Sequence, residues 1–349
     1  MLEIIEGDCL EVLKTLPDNY IDCIVTSPPY WRLRDYNHKQ QLGMEETPEE
    51  YINKLCNIFD EIYRVLKDTG TVFVNIGDSY SKSNTISPKG KRGFSQDKNQ
   101  IINKNKCVAK KKSLVGVPAM FQLEMIKRGW ILRNKIIWNK TNIMPESVKD
   151  RFTNDYEEIF FFTKNEKYFF NKLYEPFSEK TLTAFKDGKV PTSHAYLKAG
   201  TSKSGMRENK EWLAVVSEKG RNMRAVWKIG NTGIKESHFS TFPKEIVRRC
   251  IESGCPSNGI VLDCFLGSGT TLNVAKKLGR NAIGIELNRS YIKIAEKLIG
   301  NTLFQKLEIK YNCKYCSYYI NDLCSKFKDF ILPTVELQNK CGGNYENSN

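Results

Sequence analysis

Short apolar runs bounded by turn residues alternate along this chain with longer stretches in which apolar residues recur every three or four positions. Residues 2–5 read as a short strand ending at Gly7-Asp8-Cys9, and 10–16 as a short helix before the turn Pro17-Asp18-Asn19. The run 21–25 reads as the next strand. After Thr47-Pro48-Glu49-Glu50, the residues Tyr51, Leu55, Ile58, Phe59, Ile62, Tyr63 and Leu66 fall on one helical face. Thr47 is placed to cap that helix, and Pro48 takes the first helical position, where no N–H is needed. Lys67-Asp68-Thr69-Gly70 is expected to end it, and 71–76 to form a buried strand. Further along, the spacing predicts helices at 118–127, 271–278 and 290–299, with another starting at Phe242-Pro243-Lys244. It predicts strands at 131–138, 158–163, 260–265 and 282–287. Strand and helix in repetition predict an α/β fold with a mostly parallel sheet.

Two segments break the rhythm. Residues 82–112 carry ten Lys or Arg against one acid, Asp97, and read as a mobile loop. Residues 171–235 lack periodicity and are again basic, so they read as a separate lobe or long insertion rather than a sheet layer. These segments account for much of the net charge of +14, which makes a polyanion, and nucleic acid first, the expected partner. No window approaches the roughly 18 apolar residues of a membrane span, and residues 1–5 lack a signal-peptide pattern, so the expected setting is the cytoplasm. Eleven cysteines, odd in number and mostly scattered in apolar segments, suit reduced thiols.

Two stretches carry candidate chemistry. In Thr26-Ser27-Pro28-Pro29-Tyr30 the two prolines remove two backbone donors and stiffen the loop, presenting a hydroxyl, carbonyl oxygens and an aromatic ring. Such a loop suits a flat, amine-bearing ring, and on its own equally suits a proline turn closing a hairpin. Leu266-Gly267-Ser268-Gly269-Thr270-Thr271 is a tight turn between strand and helix, and Glu286 follows Asp263 at about the 20-residue spacing from which an acid reaches a ribose hydroxyl. Thr270, Thr271 and Leu272 follow Gly269, so the third glycine of a dinucleotide fingerprint is missing. A nucleoside without a diphosphate fits better than NAD. S-adenosylmethionine is such a molecule, with Asp263 suited to its ammonium group and a helix N-terminus to its carboxylate.

Together, and in this order, the two stretches resemble the amino-methylating DNA methyltransferases of the permuted β class. The resemblance implies a Rossmann-like S-adenosylmethionine-dependent methyltransferase fold. It assigns Ser27, Pro28, Pro29 and Tyr30 to the catalytic loop. It assigns Asp263, Phe265, Gly267, Ser268, Gly269, Thr270 and Thr271 to the cofactor loop, and Glu286 to the ribose. Asp8 and Cys9 resemble the strand end at the cofactor adenine, and Phe242 and Pro243 the element closing over its methionine part. The implied organisation is a catalytic half at 1–170, a target recognition region at 171–237, a cofactor half at 238–303 and an extension at 304–349. Serine rather than aspartate at position 27 points to cytosine N4 before adenine N6. A catalytically silent nucleic-acid-binding protein of the same fold is the alternative from another class. C5-cytosine chemistry would need a Pro-Cys pair, which the chain lacks. Arg207, Arg221 and Arg224 are candidates for contacts to guanine edges of double-stranded DNA. A cognate restriction endonuclease and a second copy of the chain are further candidate partners. Cys313, Cys316, Cys324 and Cys341 offer four sulfur ligands for structural zinc or a small reduced cluster.

Overall fold

The computed structural model describes residues 1–306 except 37, 39, 82–108, 144, 178, 180–182, 184–219, 231–242 and 301–302. Most of the basic loop at 82–112, Arg207, Phe242 and the four C-terminal cysteines lie outside the described residues.

The chain opens with strand β1 (Leu2–Glu6), helix α1 (Cys9–Thr15) and strand β2 (Ile21–Thr26). Helix α2 (Pro48–Val65) starts as its sequence indicates. Thr47 accepts the Glu50 N–H at 3.1 Å and the Glu50 carboxylate accepts the Thr47 N–H, a reciprocal cap that satisfies two otherwise orphaned donors. Its end differs from expectation. Leu66 is extended rather than helical and opens strand β3 (Leu66–Ile76) directly, without a separate turn. Leu66 pairs with Ile21 and Thr71 with Cys23, so residues 67–70 are absorbed by a register shift between those pairs.

Helix α3 (Val117–Lys127) and strands β4 (Ile131–Asn139) and β5 (Tyr156–Thr163) follow. A two-stranded ribbon joins β6 (Tyr174–Glu175) to β7 (Arg221–Asn222). Then come β8 (Val226–Lys228), α4 (Lys244–Gly254), β9 (Ile260–Asp263), α5 (Thr270–Lys277), β10 (Asn281–Glu286), α6 (Arg289–Ile299) and β11 (Leu303–Lys306). Nine strands form one sheet in the order β11-β1-β10-β9-β2-β3-β5-β4-β8, in which β5 alone runs antiparallel to its neighbours. The segment read as a lobe apart from the sheet therefore contributes an edge strand. Trp227 is the reason: its ring is buried beneath the Arg249 guanidinium, and the adjacent Ile229 carbonyl accepts the Trp138 indole N–H at 2.8 Å.

Both faces of the sheet are covered, as a parallel sheet requires. Alternation along β5 divides the aromatic residues between them. Phe160 and Phe162 meet Phe121 of α3, which packs edge-on against Phe59 of α2. Phe161 stacks on Phe73 at 4.6 Å on the opposite face, in the core that includes Ile246, Val247 and Cys250 of α4.

Thr47→Ala removes one arm of the reciprocal cap and should lower the unfolding free energy by about 1 kcal/mol in urea titration. An unchanged midpoint would show that the cap contributes nothing.

Candidate active site

Strands β1, β10, β9, β2, β3 and β4 point the same way, so their carboxyl ends share one edge of the sheet, where open α/β sheets bind ligands. The reversed strand β5 brings its amino end to that edge: Glu158 pairs with Ile76, the last residue of β3, and Glu157 lies one step beyond. A cavity of about 950 Å³ opens there, large for one nucleoside and roomy enough for two flat rings.

Its first half is built around Glu286. The two carboxylate oxygens accept the N–H groups of Gly267 and Asn288, each at 2.8 Å, which orients the acid over the glycine turn. Burial pushes its pKa up, and the two backbone donors pull the other way. Asp8 caps α1 by accepting from Leu10 (3.0 Å) and Glu11 (3.2 Å), and its side chain lines the same wall. Gly269 holds φ +86°, and a Cβ there would stand 2.8 Å from the Ala295 Cβ, so only glycine lets α5 approach α6 this closely. Gly269 is not itself a lining residue.

The second half is the proline loop. Tyr51 donates to the Pro29 carbonyl at 2.9 Å, while no donor among the described residues meets the Pro28 carbonyl. The Tyr30 hydroxyl donates to Glu157 Oε2 at 2.6 Å and also interacts with the Ser27 hydroxyl; burial first, and then the Glu157 charge, push its pKa well up. Glu157 further accepts from Asn75 Nδ2 (2.9 Å) and Lys140 Nζ (2.5 Å), and the Lys140 ammonium lies 5.0 Å from the Trp138 ring centre. A Cβ on Gly77 would stand 2.5 Å from Tyr30 Cε2, so a bare backbone there makes room for the ring.

Asp263 joins the halves. Thr26, the residue before Ser27, donates to its Oδ1 at 2.7 Å; Thr271 of the glycine turn donates to its Oδ2 at 2.5 Å; the Phe265 N–H adds a third bond at 3.1 Å. The sequence suggested an ammonium partner for this acid, and Asp263 does line the cavity. Its oxygens also tie the acceptor loop to the glycine turn, and burial raises its pKa against the pull of the two hydroxyls.

Ser27 to Tyr30, Asp8, Cys9, Asp263, Phe265, Gly267, Ser268, Thr270, Thr271 and Glu286 thus line one cavity. Pro243 is buried and starts α4, its carbonyl accepting from Ile246 at 3.0 Å, and it is not among the lining residues. Arg221 and Arg224 both direct Nε to Glu175 Oε1, at 2.8 and 2.6 Å, in the β6–β7 ribbon. Lys140, Glu157, Asn75 and Gly77 were not singled out by sequence. Asn75, a lone amide inside an apolar strand, was the one legible signal among them. Among the described residues, no group of three or more His, Cys, Asp or Glu side chains is arranged to hold a metal ion, and no helix is long and apolar enough to cross a membrane.

The N6/N4 DNA methylase family model matches residues 21–297. The type II methyltransferase M.Cfr9I of Citrobacter freundii is 38% identical over 301 residues, covering 83% of this chain and 85% of that protein. M.SmaI of Serratia marcescens is 36% identical over 308 residues, covering 85% and 90%. Among solved structures, the PvuII DNA methyltransferase (cytosine-N4-specific) superposes with a TM-score of 0.56 at 16% identity, covering 86% of this chain and 94% of that one. A putative DNA modification methylase of Thermus thermophilus, complexed with S-adenosyl-L-methionine, gives 0.53 at 21% identity, covering 88% and 100%. Both show the same fold.

The raised pKa of Asp263 means that the folded chain holds this proton more tightly than the unfolded one. Its contribution to stability is therefore fully present below the ordinary value of 3.8 and is lost as pH rises through the folded value. Denaturant titrations at a series of pH values should show the native chain losing ground to Asp263→Asn as pH rises across this window. A pH-independent difference would contradict the assignment.

Proposed function

The chain belongs to the N6/N4 DNA methylase family, and we propose that it is a type II modification enzyme that methylates the exocyclic N4 of cytosine in a base turned out of double-stranded DNA. The observation that carries this reading is the shared cavity: an acceptor loop with a hydroxyl and an unengaged carbonyl stands beside a glycine turn with an oriented buried acid, the two tied through Asp263. The loop precedes the glycine turn in the chain, which is the permuted order.

The first half fits S-adenosylmethionine. Glu286 is aimed by two backbone donors and keeps lone pairs for ribose hydroxyls, and the apolar Phe265, Leu266 and Ile285 line the same cavity. When bound there, the cofactor supplies an electrophilic methyl group. Everything else falls to the acceptor loop. A ring-conjugated amine is a poor nucleophile because its lone pair is delocalised. Ser27 Oγ and the Pro28 carbonyl accept its two hydrogens, drawing the nitrogen toward a tetrahedral form. Tyr51, by fixing the Pro29 carbonyl, holds that geometry. The Tyr30 ring offers a surface for the flipped base, recovering part of the few kcal/mol that unstacking costs. A serine hydroxyl is too weak a base to take the proton in advance, so Ser27 orients the amine, and the nitrogen sheds its proton after it has gained the methyl group.

Two features favour cytosine. Position 27 is a serine rather than an aspartate. Lys140, seated on Glu157 in the same pocket, presents donor hydrogens, and along its Watson–Crick edge cytosine carries two acceptors, N3 and O2, where adenine carries only N1. The family covers both bases, so N6-adenine is the competing product. A cysteine-dependent attack on C5 has no support among the described residues: all six described cysteines are buried, and burial pushes the thiols up, to about 12 for Cys56 and Cys255. Target recognition is assigned to 171–237, including Arg221 and Arg224, whose Nε atoms are engaged with Glu175 and whose outer guanidinium nitrogens would make the contacts. A nuclease of the same site would be the enzyme's natural companion.

Nucleoside analysis of DNA treated with the purified protein and S-adenosylmethionine should give N4-methylcytosine. N6-methyladenine would reassign the base, and 5-methylcytosine would overturn the mechanism. Ser27→Ala should lower turnover roughly 10²-fold while calorimetry shows unchanged cofactor affinity. Equal loss of binding would place Ser27 in the cofactor site instead.

A further inference from the structure

The segment 140–155 between β4 and β5 holds the most exposed large apolar side chain among those described, Phe152, at 97%. Such exposure is ordinary in a loose loop, but this loop is braced on three sides. The Arg151 guanidinium stacks over the Tyr80 ring at 4.4 Å and pairs with Glu146 at 2.6 Å. Asp150 pairs with Lys112. At the far end, the Asp155 carbonyl accepts the Lys140 N–H at 2.7 Å and its carboxylate accepts Asn139 Nδ2 at 2.8 Å. The chain is thus held at Asp150 and Arg151 just before Phe152 and at Asp155 three residues after it, while the ring projects into solvent.

Position and charge identify what the ring meets. Lys140 and Glu157 line the acceptor half of the cavity. Phe152 is three residues from Asp155, which is bonded to the Lys140 backbone, so its Cα lies within about 11 Å of that anchor even at full stretch. Of the three acids of this segment, Glu146 and Asp150 are each matched by a base, and Asp155 accepts from the Asn139 amide. Lys149, Lys110 and Lys111 are all exposed and leave the surface around Phe152 positive. Val148 of the same segment and Leu114, bridged to the Tyr80 on which Arg151 stacks, are each 42% exposed. An exposed aromatic ring in a basic surface, tethered through Asp155 to Lys140 of the cavity lining, matches an apolar wedge that enters a duplex, rather than a face for another folded protein.

We propose that Phe152 is a wedge that inserts into the DNA helix at the target site and stabilises the extruded base by occupying or prising open its stack. This rests on the DNA-methylating reading above and adds the means by which the base is brought out. The ring acts on the duplex and not on the reacting atoms, so its loss is felt where a paired base must be extracted and is forgiven where the base has no partner to leave.

Once the target site is mapped by sequencing modified DNA, single-turnover methylation is compared on two duplexes. One is fully paired, and the other lacks the base opposite the target. Phe152→Ala should slow methylation of the paired duplex tenfold or more, run within about threefold of the native chain on the gapped one, and melt at the native temperature, since the ring is exposed. Phe152→Leu, which keeps an apolar wedge, should recover much of the paired-duplex rate. Native speed of Phe152→Ala on the paired duplex, or equal slowing on both, overturns the wedge. A native chain that methylates neither duplex overturns the DNA-methylating reading, and the wedge with it.

Discussion

The site depends on one buried carboxylate. Asp263 ends β9, sits beside the end of β2, and accepts a hydroxyl from each of the two loops that leave those strands. Displacement of a methyl group along a line would tolerate little error in the separation of its two ends, and the proline loop and the glycine turn are each tied by a short bond to this one buried group. Burial strengthens these bonds, because the alternative of solvation is removed, and it makes an unpartnered carboxylate in this position costly. Everything farther out can vary in length without moving Ser27 relative to the glycine turn.

The reversed strand β5 solves a second problem. In an all-parallel sheet, residues at the ligand-binding edge come only from strand ends that lead into helices. Running β5 backward delivers the start of a strand to that edge, and with it Glu157, paired with Trp138 of β4 and bonded on the other side by the Asn75 amide of β3. The carboxylate that orients Tyr30 is consequently held by a sheet and not by a loop, which favours accurate placement of the ring on which a base would rest.

The parts of this arrangement that could be read in the sequence are those with local causes. The Thr47-Pro48-Glu49-Glu50 start and the apolar face of α2 lie within one helix. The proline loop and the glycine turn announce themselves through backbone restrictions, and they emerge in one cavity. What escaped was set by distant partners. The acceptor of the Thr26 hydroxyl lies 237 residues away, so nothing near Asp263 distinguishes a cross-link between loops from a ligand contact. Strand β8 is three residues long and exists because Trp227 finds cover, which no periodicity reveals. Glu157 looked like one of many charges at the start of a strand, and Leu66 satisfied a helical face equally well while belonging to the sheet. Gly77 matters only because of a ring that reaches it from another loop.

The strand order also sets a timetable. β1 leaves the ribosome long before its hydrogen-bonding neighbours β10 and β11, and the Ala282 N–H pairs with the Met1 carbonyl. At roughly 5–20 residues per second, β1 waits on the order of a quarter of a minute to a minute for those partners, whereas β2, β3, β4 and β5 can assemble among themselves meanwhile. The half of the pocket built on the proline loop is available to form during synthesis. The half built on the glycine turn closes around β1, so a ribosome-bound chain lacks the complete cavity until β10 has been made.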